Sequence, residues 1–243
     1  MSGAALTGPA PGVWRVFLRS PSAVVALIVF SGFCAIALLA PWITLQNPYD
    51  LAQVDIMDSL LPPGSESWTG MPYYLGTDGQ GRDMLSAMIY GIRISLLVGV
   101  VSGLIALLVG TIVGLVAAYR GGWVDNLLMR IVDLQLSFPT ILVALILVVI
   151  LGRGVDKIIF ALVVVQWAYF ARTVRGVALV ESAREYVDAA RGLKLGHLRI
   201  LFLHILPNCL PTMLVVATMQ MAAAISLEAT LSFLGLGLPP TRP

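Results

Sequence analysis

Apolar residues in this 243-residue chain come in long runs rather than in core-facing stripes. Residues 20–49 contain no charged side chain, and their apolar heart runs over 23–39. A spanning helix needs roughly 20 apolar residues, so this run is long enough. A cleaved signal peptide, with Arg15 and Arg19 as its basic region, has an apolar stretch of only about 7–15 residues, so an uncleaved first span is expected. Residues 94–119 form a second uncharged run. A third covers about 127–151, with Asp133 near its start and Pro139 inside it. Proline removes a backbone donor and clashes with the preceding turn, which predicts a kink near Ser137. The fourth run, 158–171, has only 14 uncharged residues and spans only with Lys157 and Arg172 snorkelling to opposite interfaces. The fifth is 210–227, with Pro211 in its first turn, where proline is tolerated.

Composition agrees with the runs. The chain is 58% hydrophobic and 12% charged, with a mean hydropathy of +0.92, whereas soluble domains carry about 25% charged residues. A polytopic all-α membrane protein follows. The net charge is +2, and no dense Lys/Arg cluster offers a nucleic-acid footprint. Cys34 and Cys209 lie in or beside apolar runs and read as small buried hydrophobes. In the second run, Gly99/Gly103 and Gly110/Gly114 are each four apart, a spacing that lets helices approach closely. Packing within the chain explains it more simply than a subunit interface.

Loop charge gives the orientation. Residues 46–91 hold Asp50, Asp55, Asp58, Glu66, Asp78 and Asp83 against Arg82. Residues 172–204 hold Arg172, Arg175, Arg184, Arg191, Lys194 and Arg199 against Glu181, Glu185 and Asp188. Basic loops stay in the cytoplasm. The expected organisation is a cytoplasmic tail over 1–20, a first span over 21–45, an extracytoplasmic loop over 46–91, and a transmembrane domain over 92–243, with the C-terminus outside after five spans.

The polar stretch 185–208 is the most informative part of the chain. Ala183, Val187, Ala190 and Leu193 recur at helical steps, and Arg184, Asp188 and Arg191 lie on another face, near enough for weak ion pairs. Gly192 and Gly196 bracket Lys194-Leu195, which reads as a break between two short helices. The second, from His197 to His204, is expected to stop at Pro207. Such an element could cap the bundle or fit the groove of a soluble partner.

These residues resemble the EAA loop of the permease subunits of bacterial ABC importers, with Asp188-Ala189-Ala190 at its start and Ile205-Leu206-Pro207 at its end. The likeness extends to Leu75-Gly-Thr-Asp-Gly-Gln-Gly-Arg-Asp83, Ile89-Tyr-Gly91, Tyr119-Arg-Gly-Gly-Trp-Val-Asp125, Met129-Arg-Ile-Val-Asp133, Ser137-Phe-Pro139 and Glu228-Ala-Thr-Leu-Ser-Phe-Leu-Gly-Leu-Gly237. Together they are similar to the "C" type permeases of the dipeptide, oligopeptide and nickel group. The resemblance implies a type I ABC importer permease fold, with five of the family's six spans in this sequence, from a multi-pass protein of the bacterial inner membrane with its N-terminus inside. It also implies a second homologous permease subunit, two cytoplasmic ATPases, an extracytoplasmic binding protein, and rocking between inward- and outward-facing states. By the same resemblance, Glu185, Asp188, Ala189, Ala190, Arg191 and Gly192 couple to the ATPases over the loop 181–208, while Ile205 and Pro207 fix its return. One departure stands out: where the family pattern has glycine after the triplet, this chain has Lys194, with glycines at 192 and 196.

The residues themselves show no nucleotide site. Gly79-Gln-Gly81 and Gly152-Arg-Gly154 lack the lysine and context of a phosphate cradle, and Gly79 and Gly81 read as turn residues outside the membrane. No cofactor or metal is expected on this chain; His197 and His204 read as solvated loop residues. Asp133 and Glu228 are functional candidates by depth, though interfacial pairing, for Asp133 with nearby Arg130, is the simpler account. Met219 and Met221 read as core. Short-peptide import is the leading function; import of nickel or another small solute, and a shortened non-transporting subunit, are the alternatives.

Overall fold

The computed structural model describes residues 17–50 and 52–237. The chain divides into two compact units, one containing the first span and Ala52–Arg93, the other beginning its long stretch at Ile94.

In the first unit, α1 (Pro21–Ile43) opens with proline in its first turn and carries exposed apolar side chains along most of its length, as a helix facing lipid would. The segment after it folds by polar anchoring. A 3₁₀ turn at Ile56–Asp58 and a short antiparallel hairpin, β1 (Ser65–Glu66) with β2 (Pro72–Tyr73), surround Asp58. The buried Asp58 carboxylate accepts from the Tyr73 hydroxyl at 2.9 Å and the Trp68 amide at 3.3 Å. Burial, then the bond to Asp58, pushes the Tyr73 phenol up from 10.0 to about 12. Partial burial works against ionisation of Asp78, but the Arg82 guanidinium and the amides of Gln80 and Arg82 hold its carboxyl below the usual range. Gly76 and Gly81 turn through positive φ, and a Cβ on Gly81 would lie 1.9 Å from the Asp55 carbonyl oxygen. Both glycines expected to turn here do so: Gly79 lies in the turn closed by the Gly81 amide donating to the Asp78 carbonyl at 3.1 Å, and of the two Gly81 alone takes positive φ.

Helix α2 (Met84–Arg120) is 37 residues long, starting ten residues before the uncharged run. The Asp83 carboxylate accepts from the Ser86 amide at 2.9 Å, which caps the orphan donors of its first turn.

In the second unit the third run is two helices, α3 (Gly122–Ser137) and α4 (Thr140–Leu151), bent by 88° at Phe138-Pro139. The expected kink is a right-angled break. Phe138 is extended at φ −89°, ψ 140°, as the residue before a proline tends to be, and the Ser137 hydroxyl bonds back to the Asp133 carbonyl at 2.6 Å. At about 1.5 Å per residue, neither helix alone reaches the ~30 Å of a bilayer core.

Helix α5 (Val155–Ser182) has 28 residues, so the helix continues past the uncharged run that ends at Ala171, and Arg172 lies within it. Ala161, Leu162, Val165, Ala168, Ala171, Val174 and Ala178 are buried along it, and α3 and α4 both pack on it. Gly110 and Gly114 of α2 also press on α5: a Cβ would lie 2.4 Å from the Phe170 Cβ and 2.6 Å from the Ala171 carbonyl oxygen respectively. The other glycine pair faces Met221 and Ile225. Both pairs pack within the chain.

After α6 (Glu185–Gly192) come α7 (His197–Ile200), a π-helical turn at Leu201–Ile205, and α8 (Leu206–Leu231). Pro207 does not stop the second short helix. It falls at the start of α8, and helix continues from His197 to Leu236. Pro211, expected in the first turn of the fifth span, therefore lies inside a helix. The wider π turn just before Pro207 is a common way of absorbing an interrupted helical ladder.

By length and composition the described residues hold four helices able to cross a membrane, or five with the bent α3–α4 pair as one span.

Candidate functional site

The segment from Glu181 to Asn208 is held by its own core. Val187 and Ala190 of α6, Ile200 of α7, Leu201, Ile205 and Cys209 are buried with Leu115, Val174 and Ala178. This corrects the sequence expectation for Ala190: at 4% exposure it packs inward and does not offer a surface for docking. Ile205 is likewise buried, whereas Glu185, Asp188, Ala189, Arg191, Gly192 and Pro207 are exposed. Ala183 and Leu193, placed on the apolar face by spacing, are exposed, Leu193 at 76%. The outward face of α6 therefore combines carboxylates, one guanidinium, a small alanine and an apolar leucine. Asp188 and Arg191 pair across one turn at 2.9 Å.

Lys194 closes α6. Its amide donates to the Arg191 carbonyl at 2.9 Å and the Leu195 amide to the Ala190 carbonyl at 3.2 Å, the paired bonds of a Schellman C-cap. The residue after the cap is left-handed in that motif, and Lys194 has φ +53°. The backbone thus makes the turn that glycine favours, with lysine in the position.

Sequence reasoning missed two positioning residues here. The Tyr186 hydroxyl donates to the Glu181 carboxylate at 2.8 Å and accepts from the Asn208 amide at 3.1 Å. The Asn208 amide also donates to the His204 carbonyl at 2.7 Å. Tyr186 therefore ties α6 to the end of α5 and the start of α8, and burial, with the Glu181 bond second, raises its phenol pKa. A tyrosine beside an apolar stripe was the available signal. His197 is exposed, as expected, and hydrogen-bonds Tyr119 at the end of α2.

Behind the segment, two ion pairs join α3 to α5. Arg175 grips Asp125 with two bonds of 2.5 and 2.6 Å, and Arg172 pairs with Asp133. The partner of Asp133 is thus on another helix and is not Arg130. Glu228 is neither wet nor paired with a cation among the described residues; at 5% exposure it accepts from Ser95 at 3.0 Å and Ser232 at 2.8 Å. Among the described residues no group of three or more His, Cys, Asp or Glu is placed to hold a metal.

Several helices long and apolar enough to cross a membrane, with a polar helical segment packed between α5 and α8, define a multi-pass membrane protein. Two family descriptions match the chain: binding-protein-dependent transport system inner membrane component over residues 110–243, and N-terminal TM domain of oligopeptide transport permease C over residues 9–63. The chain belongs to the binding-protein-dependent transport system inner membrane component family, the type I ABC importer permeases of the inner membrane. It is similar to a di/tripeptide transport system permease protein of Pseudomonas aeruginosa, 37% identical over 97% of this chain and 77% of the relative. A dipeptide transport system permease protein of Escherichia coli is 41% identical over the same shares. One of Bacillus subtilis is 36% identical over 93% of this chain and 68% of the relative.

Proposed function

We propose that this permease subunit forms, with a homologous second subunit, the membrane path for short peptides handed over by an extracytoplasmic binding protein, and that ATP is hydrolysed by two cytoplasmic ATPase subunits. The likeness to di- and tripeptide permeases over nearly the whole chain supports the substrate class. The observation that carries the coupling role is the anchoring of α6: its buried face and the Tyr186 contacts hold it to α5 and α8, leaving Glu185, Asp188, Ala189, Arg191 and Gly192 outward. A push on a helix tied in this way moves the helices behind it instead of bending a loop.

Ala190 and Ile205 serve this role from behind, by fixing the shape of the segment, and Pro207 by starting α8 on its π turn. The N-terminus and the α6 segment face the cytoplasm, and the acidic segment after α1 faces outward, as the charge asymmetry of the loops indicates.

The test separates docking from packing. Ala189→Trp adds bulk to the outward face and is expected to abolish peptide uptake and binding-protein-stimulated ATP hydrolysis, while the chain still inserts and purifies at normal yield. Ala190→Trp forces an indole into a filled core, where overpacking costs about 1–3 kcal/mol or more, and is expected to lower the yield of folded chain itself. Uptake at the normal rate by Ala189→Trp would sink the docking model.

A further inference from the structure

Between α5, α8 and the start of α4 lies a cleft of about 330 Å³, within the roughly 300–1,000 Å³ range of small-molecule sites. Its polar lining is Thr140, Gln166, Tyr169, Gln220, Ser226 and Thr230, set among apolar side chains, and no acidic or basic side chain of the described residues lines it. Gln220, Ser226 and Thr230 come from α8, and Gln166 and Tyr169 from α5, both helices long and apolar enough to cross the membrane. Polar groups at that depth cost free energy unless they are bonded. The Ser226 and Thr230 hydroxyls discharge their donors on carbonyls of their own helix, leaving their oxygens free to accept.

Gln166 is the exception. It is 3% exposed; its amide nitrogen donates to the Gln220 carbonyl at 3.0 Å, while its side-chain oxygen is buried without a donor. Joining α5 to α8 needs only the nitrogen. The oxygen is a buried acceptor without a donor on a residue that lines the cleft, and leaving a buried acceptor unmade is costly.

We infer that this cleft is a transit site that reads the peptide main chain, with the Gln166 oxygen accepting from a main-chain N–H of the passing substrate. The inference rests on the peptide-import reading and deepens it. Peptides of varied sequence share only amide donors and acceptors and their two termini. A lining of amides and hydroxyls without charge bonds the shared amides and leaves the termini unclamped. Binding is then weak enough for release, which conduction requires.

The complete transporter in proteoliposomes, with binding protein loaded to saturation, is compared for uptake of Ala-Ala and of its analogue methylated on the peptide nitrogen. Loading of the binding protein by each peptide is measured separately. Wild type is expected to move the parent about fivefold faster, the order of one hydrogen bond. Gln166→Met, of similar shape without the acceptor, is expected to erase that preference by slowing the parent; Gln166→Glu, which keeps an acceptor oxygen, is expected to retain it. Ala223→Phe fills the cleft from an exposed α8 position and is expected to cut uptake at least about tenfold in a complex recovered intact, which keeps the test decisive if the Gln166 variants fail to assemble. Equal transit of the two peptides in wild type, an unchanged preference in Gln166→Met, or normal uptake by Ala223→Phe overturns the inference alone. A wild-type complex that moves neither peptide overturns the peptide reading, and the inference with it.

Discussion

Lys194 stands in left-handed backbone at φ +53°, where its Cβ crowds the following carbonyl at a cost of about 1–2 kcal/mol. Two hydrogen bonds to the Ala190 and Arg191 carbonyls fix that geometry, so the turn survives the substitution and the side chain bears the strain. Lys194→Gly should therefore raise the melting temperature of the detergent-solubilised protein, by the equivalent of about 1 kcal/mol; an unchanged or lower value would mean that lysine makes compensating contacts. The sequence showed the mismatch at this position but not its outcome, because a C-cap is set by backbone bonds that carry no residue signature. Adjacent Ala189 and Ala190 tell a similar story. Spacing put Ala190 on the apolar face, yet only the presence of Val174, Ile205 and Cys209 behind it makes that face an interior.

The break at Pro139 was legible as a break, because proline chemistry is local. Its 88° angle was not, because it is set where the halves pack: α3 through Asp125 and Asp133 on the arginines of α5, α4 through Ala144 and Val148 against Leu162 and Val165. The same long-range pairing explains why a run that looked too short for a span continues to Ser182, since Arg172 and Arg175 have carboxylates waiting on α3. In the acidic segment, Tyr73 is expected to ionise near pH 12 instead of 10.0, measured as the difference in ultraviolet titration between wild type and Tyr73→Phe. Its folded pKa is raised, so the stability it contributes is complete below pH 10.0 and is lost as pH rises through about 12. A tyrosinate signal from Tyr73 near pH 10 would mean that the Asp58 pocket is open to water.

For the molecule as a whole, apolar runs and charge asymmetry were enough to recover the helical membrane class and the position of every long helix to within about a dozen residues. The polar cleft was not legible, because Gln166, Gln220 and Thr230 are remote in sequence and acquire meaning only when α5 lies against α8. The proposed orientation has a direct check in spheroplasts with an impermeant maleimide. In a chain freed of Cys34 and Cys209, Glu66→Cys should label from outside and Lys194→Cys only after lysis; the reverse pattern would invert the topology.

Helical turns run from His197, next to the α6 segment, through the π turn at Leu201–Ile205 to Leu234, a rod of about 57 Å at the usual rise per residue, before Gly235 leaves helical geometry at φ 77°, ψ 9°. A four-residue turn, Leu193–Gly196, separates α6 from this rod, but no loop separates the rod's base from its far end. Under the proposed coupling, a tilt of a few degrees at the α6 end of such a rod carries its far end through ångströms, so that a push received on one side of the membrane is felt on the other.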